Sequence, residues 1–201
     1  DYIAGAAATM LGKKGAEAFA RDLYEWASLP QFTICCMNGS AMGLGVGLVA
    51  ACDMAVAVKT AHATLSEVKL GVIPAAISPH VIRTLGFSNS KRLFCTAENT
   101  NMHTAMEIGL VQRVVGDVSE FPGVIREISL KIQACSPPAL AAAKQTILNT
   151  IYQPISESMI NYTAKEYARI RKTPECEEGM KAIGLKKKPS WVESSIAVKD
   201  A

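Results

Sequence analysis

A run of alternating glycines constrains the fold of this 201-residue chain more than any other feature. Gly43, Gly45 and Gly47 lie between two apolar segments, residues 32–37 and 54–58, whose length and branched side chains are typical of buried strands. The small apolar residues that follow the first glycine predict a buried helix. The order strand, glycine-rich turn, helix, strand predicts a parallel crossover and therefore an α/β fold.

The rest of the chain is mostly helical by pattern. A helix is expected at residues 12–28, before the crossover, and a short edge strand at residues 114–115. Proline and serine residues at the starts of apolar periodic segments are typical helix-opening signals. Short helices are expected over 77–85, 89–95 and 104–108, and longer ones over 122–134, 137–149, 155–170 and 174–183. The last residues, from 186 onward, form a basic and then polar tail.

Composition narrows the functional classes. Hydrophobic residues make up 49% and charged residues 19% of the chain, which is typical of a globular protein. A net charge of +3 is too small to argue for nucleic-acid binding. The six cysteines form no Cys-x-x-Cys pair, so we expect no metal site and predict buried thiols in a reducing, intracellular compartment. Glycines and Asp53 interrupt the longest apolar stretch, so no membrane span is expected.

The glycine run can serve chemistry or packing. Glycines at the start of a helix let another group approach and leave backbone N–H groups free, and the helix dipole adds positive charge there. Such a site can bind an oxyanion or a phosphate. Alternatively, the glycines allow the helix to pack tightly on a neighbouring strand. A dinucleotide-binding fingerprint is not matched, because the third glycine comes one residue early.

Glu67 is the strongest candidate for acid/base chemistry. Its neighbours in sequence are apolar, and a carboxyl group in such surroundings retains its proton closer to neutral pH. The alternative is a surface glutamate paired with Lys69.

Other candidate residues have less support. A triad of Ser40, His62 and Asp53 lacks the nucleophile elbow that would expose the serine. His80 follows a proline near a helix start and is predicted to line a pocket. The adjacent Cys35 and Cys36 should point to opposite faces of one strand, and both are predicted to be packing residues.

Four segments, in order, resemble signatures of the enoyl-CoA hydratase/isomerase (crotonase) family. They are residues 3–7 (IAGAA), 38–53 (NGSAMGLGVGLVAACD), 65–74 (LSEVKLGVIP) and 96–111 (TAENTNMHTAMEIGLV). The resemblance implies an enzyme that adds or removes water across the α,β double bond of an enoyl-CoA thioester through a stabilised enolate. Isomerisation or decarboxylation by the same route is an alternative, and so is a non-catalytic scaffold or RNA-binding relative.

The resemblance also assigns roles to individual residues. It implies an oxyanion hole formed by the backbone N–H groups of Ala6 and Leu44, with Glu67 as the catalytic acid/base. Substrate or coenzyme A contacts are expected at Ala4, Gly5, Gly43, Gly45, Pro74, His80 and Lys188. A solvated basic tail is the alternative for Lys188. Coenzyme A enters as part of the substrate, and no permanently bound cofactor or metal is expected.

The fold that the resemblance implies is a spiral of ββα turns followed by a helical region. Residues 1–118 would be the C-terminal part of the spiral core, and residues 119–201 would cover coenzyme A and build a homotrimer or a dimer of trimers. Family members extend further before the first matched segment, so we expect the chain to lack that N-terminal part. The compartment, mitochondrial matrix or cytoplasm, stays open.

One departure from the family pattern bears on the reaction. Hydratases with two catalytic glutamates carry one of them at the position matched by Gly47, which has no side chain. The pattern around Glu67 is similar to a methylglutaconyl-CoA hydratase-like branch. A substrate of that kind carries its own carboxylate, for which Lys69, Arg83 or His80 is a candidate partner.

Overall fold

The computed structural model describes residues 12–193, which form two compact units. The first unit contains the residues up to Leu29 together with Thr33–Val124, and the second contains Pro30–Phe32 together with the residues from Ile125 onward.

The first unit alternates short strands with helices. Its strands are β1 (Ile34–Met37), β2 (Ala41–Met42), β3 (Met54–Val58), β4 (His62–Thr64), β5 (Thr100–Asn101) and β6 (Arg113–Val115). Its helices are α1 (Lys13–Ala27), α2 (Leu44–Ala51), α3 (Ser78–Thr96) and α4 (Met102–Glu107), with 3₁₀ turns at Glu67–Leu70 and Val118–Glu120. Helix α5 (Phe121–Gln133) begins at the end of this unit.

The strands form two sheets that the chain visits in turn. The first sheet has the parallel order β1-β3-β6, and in the second β2 pairs parallel with β4, which pairs antiparallel with β5. The segments β1-β2-α2 and β3-β4-α3 therefore repeat one ββα unit, with each strand pairing beside its counterpart. The predicted parallel crossover and the predicted spiral are both observed.

The core of this unit lies around β3. Four of the five residues of β3 are buried, which explains why it reads as a continuous apolar run instead of an alternating pattern. Leu23, Ile77 and Val81 bring α1 and α3 into the core and are fully buried. Burial of each such side chain stabilises the fold by roughly 1.5–3 kcal/mol.

A polar clamp fixes the entry into β3. The Thr33 backbone N–H and hydroxyl both donate to Asp53 Oδ2, at 2.7 and 3.0 Å, and the Asp53 N–H donates to Thr33 Oγ1 at 3.0 Å. These bonds pair the residue before β1 with the residue before β3. They hold the end of α2 at a defined position beside β1.

The second unit is helical. It contains most of α5, followed by α6 (Pro137–Thr150), α7 (Glu157–Ile170), α8 (Pro174–Gly184) and α9 (Ser190–Glu193). Ser156 caps α7 by accepting from the N–H of Met159, as the sequence predicted, and Thr173 caps α8 in the same way. Helices α6 and α7 pack together, and Asn149 Nδ2 donates to Tyr162 Oη across them at 2.7 Å.

Several details differ from the sequence-based expectations. The strands β2, β4 and β5 were not predicted, because two or three residues are too few to show a periodicity. The two helices expected at 77–85 and 89–95 form one element, α3, which is broken at Gly86 by a backbone φ of 72°. Helix α9 lies in the basic and polar tail, for which no helix was predicted.

The prediction that the cysteines are buried was wrong. Cys95 and Cys135 are exposed, and the other four are half-buried. Cys95 lies on the last turn of α3, and Cys135 follows α5, where apolar neighbours in sequence do not guarantee burial. No helix among residues 12–193 is long and apolar enough to span a membrane.

Candidate active site

The first element of the candidate site is the N-terminus of α2. Gly43 precedes the helix with a backbone φ of 49°, a left-handed conformation that favours glycine, and its N–H donates to the carbonyl of Thr64 at 2.9 Å. Leu44 is then the first helical residue. The first N–H groups of an α-helix have no acceptor within the helix, and they carry its positive dipole end. This backbone can therefore donate to an oxygen that gains negative charge.

The carboxyl group of Glu67 lies against this helix start. A Cβ placed on Gly43 would lie 2.8 Å from Glu67 Oε1 and 3.3 Å from its carboxyl carbon. Only a glycine at this position lets the carboxyl group come so close to the backbone. Glu67 begins a 3₁₀ turn three residues after the end of β4, so the paired strands β2 and β4 position this contact.

The environment of Glu67 favours its protonated form. Oε2 is buried and accepts no hydrogen bond from any described residue. Burial raises the pKa of the Glu67 carboxyl above its ordinary value, while a backbone hydrogen bond within the residue acts in the opposite direction. The alternative of a surface glutamate paired with Lys69 is not supported, because Glu67 is half-buried and its buried Oε2 has no hydrogen-bond partner among the described residues.

Gly47 lies one turn after Gly43 on the same face of α2. The side chain of Ile77 occupies the space beside Gly47. A Cβ on Gly47 would lie 2.2 Å from Ile77 Cγ2 and 2.7 Å from Ile77 Cβ. Ile77 is fully buried, so it cannot rotate into solvent. An aliphatic side chain therefore fills the space into which any side chain at position 47 would extend. The glycine run therefore serves both chemistry and packing. Gly43 leaves room for the Glu67 carboxyl group, and Gly47 leaves room for the Ile77 side chain.

Gly47→Ala is expected to destabilise the fold by about 1–3 kcal/mol, because the added methyl group overpacks the contact with Ile77. Ile77→Ala alone should cost about 2–5 kcal/mol through the cavity that it leaves. The double variant should cost less than the two single variants together, by about 0.5–3 kcal/mol. The measurement is the free energy of unfolding of the four proteins in urea.

Gly45→Ala is the matched control for this cycle. A Cβ on Gly45 would lie 3.6 Å from the Cβ of Ala41, an ordinary contact, so this variant should be neutral or slightly stabilising. Additive effects of Gly47→Ala and Ile77→Ala would contradict the packing described here.

His80 is not poised to carry charge. It lies in the first turn of α3 and is 9% exposed. Burial, and then the positive charge of Arg83, lower the pKa of the imidazole below its ordinary value. Because its environment disfavours the charged imidazolium, His80 is the least suited of the three residues considered as partners of a substrate carboxylate.

The other predicted site residues fall in three places. Gly45 and Pro74 belong to the first unit, Gly45 in the first turn of α2 and Pro74 buried ahead of α3. Lys188 belongs to the second unit, where it is exposed at a depression of about 420 Å³. That depression is lined by Pro174, Glu177, Glu178, Lys181, Ala182, Leu185, Lys187, Lys188 and Pro189. Ala4, Gly5 and Ala6 lie outside the described residues.

Sequence reasoning missed an apolar surface that follows Glu67. Leu70, Val72 and Ile73 are 69%, 51% and 72% exposed. The apolar residues after Glu67 were predicted to bury its carboxyl group. The sequence pattern does not distinguish a buried apolar run from an exposed one. Among residues 12–193 no group of three His, Cys, Asp or Glu side chains is placed to hold a metal ion.

Comparison with known proteins gives one consistent result. A family model described as enoyl-CoA hydratase/isomerase matches residues 8–194. The chain is 37% identical over 115 residues to the enoyl-CoA hydratase ACTT6 of Alternaria alternata, covering 57% of this chain and 39% of that protein. It is 30% identical over 156 residues to a short-chain-enoyl-CoA hydratase of Clostridium acetobutylicum, covering 77% of this chain and 59% of that protein.

Solved structures extend the similarity to the fold. The structure of Pseudomonas aeruginosa AtuE superimposes with a TM-score of 0.86 at 30% identity, covering 94% of this chain and 74% of that one. The chain spans less than two thirds of the two curated relatives named above.

Proposed function

Because the chain belongs to the enoyl-CoA hydratase/isomerase family, we propose that it stabilises the enolate of an acyl-CoA thioester and moves a proton on it, adding or removing water across the α,β double bond. One observation carries this proposal. The Glu67 carboxyl group, with one buried and unpaired oxygen, lies against the backbone at which α2 begins. An acid/base group and a site for a developing oxyanion are therefore adjacent.

The backbone supplies the electrostatic part of the reaction. We assign the Leu44 N–H as a donor to the thioester oxygen, which becomes negatively charged as the enolate forms. The α2 dipole acts in the same direction, and the donor is fixed before the reaction, so little reorganisation is needed. Ala6, which the family resemblance pairs with Leu44, is the proposed second donor.

Glu67 supplies the proton transfer. In the hydration direction its carboxylate accepts a proton from the attacking water, and the resulting acid delivers a proton to the α-carbon of the enolate. The raised pKa supports both steps, because a group that titrates nearer to neutral pH can both accept and release a proton.

Isomerisation of the double bond is a second candidate. It is favoured by the packing of Ile77 on Gly47, which leaves no room for a second carboxylate on that face of α2. A 1,3-proton shift needs one base that removes a proton from one carbon and returns it to another. Glu67 alone meets that need.

We further propose an enoyl-CoA with a distal carboxylate, such as 3-methylglutaconyl-CoA, as the substrate class. Lys69 is exposed two residues after Glu67 within the same 3₁₀ turn, and Arg83 is exposed on α3. An ammonium or guanidinium group can bind a carboxylate by a charge-assisted hydrogen bond. The exposed Leu70, Val72 and Ile73 offer apolar surface for the acyl chain.

The experiment is a rate measurement on crotonyl-CoA and 3-methylglutaconyl-CoA in heavy-oxygen water, with the products weighed by mass spectrometry. Heavy oxygen in the product supports hydration. Faster uptake of heavy oxygen by 3-methylglutaconyl-CoA than by crotonyl-CoA supports the proposed substrate class. A shifted double bond without oxygen uptake supports isomerisation, and loss of carbon dioxide supports decarboxylation. Binding of acetoacetyl-CoA without turnover of any enoyl-CoA would favour a non-catalytic role.

Lys188 is the proposed contact for the phosphates of coenzyme A. Lys181, Lys187 and Lys188 line one depression beside α8. Glu178 accepts from the N–H and hydroxyl of Ser190, which ties the segment after Lys188 to α8. Glu177 and Glu178 also line the depression, and Lys181 pairs with Glu177 at 2.7 Å, so Lys187 and Lys188 are the cations proposed to contact a phosphate group.

A homotrimer or a dimer of trimers is the proposed assembly. Neither α6 nor α7 contains a buried residue. Ile147, Ile155 and Ile183 are 62%, 92% and 76% exposed. Surfaces of this kind are typical of protein interfaces. Light scattering at micromolar concentration is expected to give the mass of three or six chains, and a stable monomer would contradict this assembly.

A further inference from the structure

One residue, Thr64, supports the backbone of both parts of the candidate site. Its carbonyl accepts the N–H of Gly43 at 2.9 Å, directly before Leu44 and the start of α2. Three residues further along its own chain, Glu67 begins the 3₁₀ turn. Thr64 therefore supports the proposed oxyanion donor through a hydrogen bond and the acid/base group through the covalent chain.

Thr64 is also the last residue of its strand. It ends β4, where it pairs with Met42, the last residue of β2. Near the other end of the same strand pair, the His62 N–H donates to Ser40 Oγ at 3.0 Å. Beyond the pair of Met42 and Thr64 both chains leave the sheet. The position of the candidate site therefore depends on how firmly this last pair is held.

A side chain from the neighbouring strand holds Thr64 in place. The Thr64 hydroxyl donates to Asn99 Oδ1 at 2.9 Å. Asn99 lies directly before β5, which pairs antiparallel with β4 in a register that places Ala63 opposite Thr100. One step further along, the same register places Thr64 opposite Asn99. Directly opposite side chains interact across a sheet, so the strand pairing itself brings the two groups together.

We infer that Asn99 is a positioning residue for the proposed enolate chemistry, and that it acts through Thr64 on the backbone at Gly43 and Leu44. The inference rests on the proposed function. The bond to Asn99 restrains Thr64, and thereby the carbonyl to which the Gly43 N–H donates. That carbonyl holds the turn at Gly43, where φ is 49°, and so sets the direction of the Leu44 N–H. A donor that is fixed in advance needs little reorganisation when the oxyanion forms.

The test removes each partner of this bond. Thr64→Val keeps the branched shape and loses the hydroxyl, and it should lower kcat on an enoyl-CoA by about tenfold, less than the 10²-fold that a misplacement of about 1 Å can cost. KM should change little, because the donor acts mainly on charge that develops in the transition state. Asn99→Ala should cause a similar loss. The double variant should be no worse than either single variant, because all three lose the same interaction. Thr64→Ser, which keeps the hydroxyl, should retain most of the activity.

Asn101→Ala is the matched control for a purely structural effect. Asn101 lies two residues after Asn99 and caps α4, where its Oδ1 accepts from the N–H of Thr104 at 3.0 Å. Loss of this cap should lower the urea concentration at which the protein unfolds. The control should leave kcat nearly unchanged, because the bond between Thr64 and Asn99 remains.

Acetoacetyl-CoA gives a second measurement that does not need turnover. It mimics the enolate, and the ultraviolet spectrum reports how much of the bound ligand is in the enolate form. Thr64→Val and Asn99→Ala should lower that fraction, and Asn101→Ala should not. If circular dichroism shows that Thr64→Val is unfolded, Asn99→Ala decides the test, since the Asn99 side chain is exposed.

Two results would overturn the inference alone. One is an active chain in which the folded Thr64 and Asn99 variants keep both kcat and the enolate fraction. The other is an equal loss of kcat in Asn99→Ala and Asn101→Ala, which would assign the bond to stability. If the unchanged chain neither turns over an enoyl-CoA nor binds acetoacetyl-CoA, the proposed function itself fails, and the inference fails with it.

Discussion

Replacing Glu67 with glutamine is expected to reduce turnover of an enoyl-CoA by about 10²–10⁴-fold, because the amide cannot accept and release a proton. The two side chains have the same shape, so the contact with Gly43 should remain and acetoacetyl-CoA should bind nearly as before. The measurement is the steady-state rate together with the dissociation constant of acetoacetyl-CoA. Turnover at the rate of the unchanged protein would assign the proton transfer to another residue.

The stability of the same variant is the control for its fold, and its sign follows from the pKa. The folded-state pKa of Glu67 is raised, so the stability of the native protein falls as pH rises through that pKa. Glutamine has no charge to bury, so the variant should be at least as stable as the native protein at neutral pH. The advantage should disappear below the unfolded-state pKa of about 4.3. Lower stability at neutral pH would show that the loss of turnover reflects damage to the fold.

Leu44→Pro is expected to reduce turnover by about 10²–10³-fold, the usual effect of removing one oxyanion donor. Leu44→Val should have a much smaller effect, because it keeps the backbone N–H. Leu44 is the first residue of α2, a position at which proline is well tolerated, so the helix should survive the substitution. The comparison is the rate constant kcat for the two variants on the same enoyl-CoA.

Circular dichroism and the free energy of unfolding serve as controls for this pair. Equal loss of activity in both variants, with the fold intact, would mean that the Leu44 side chain matters and that its N–H is not the donor. If Leu44→Pro alone loses helix, the circular dichroism spectra will show it. The test of the donor would then rest on the dissociation constant of acetoacetyl-CoA for Leu44→Val.

Elements with a long or distinctive pattern were predictable. The helix Lys13–Ala27, the strand Met54–Val58 and the parallel crossover between β1 and β3 follow from apolar spacing and from the glycine-rich turn. The ends of the later helices were also placed to within about two residues, because proline and serine mark their starts. The strands β2 and β4, which position Glu67, were missed, since they consist of two and three residues.

The sequence named the members of the candidate site but could not give their contacts. Glu67 and Leu44 were named from a matched motif, and their segments do meet in the fold, but a motif contains no distance. That Gly43 receives the Glu67 carboxyl group, and that Gly47 receives Ile77, depends on residues far apart in sequence. The sequence does not distinguish the two glycines. In the fold, Gly43 makes room for a functional group and Gly47 makes room for a packed side chain.

What the sequence by itself determined is the pattern that local forces set: the apolar periodicities, the helix starts, the alternating glycines and the presence of a carboxyl group among apolar neighbours. Tertiary structure alone decided the burial and the pairing. It left Glu67 Oε2 without a hydrogen-bond partner among the described residues, lowered the pKa of His80 by burial, and exposed Leu70 and Ile73. The physical reason is that pKa values and packing depend on which groups lie within a few ångströms, and the crossovers of the spiral bring those groups together from distant parts of the chain.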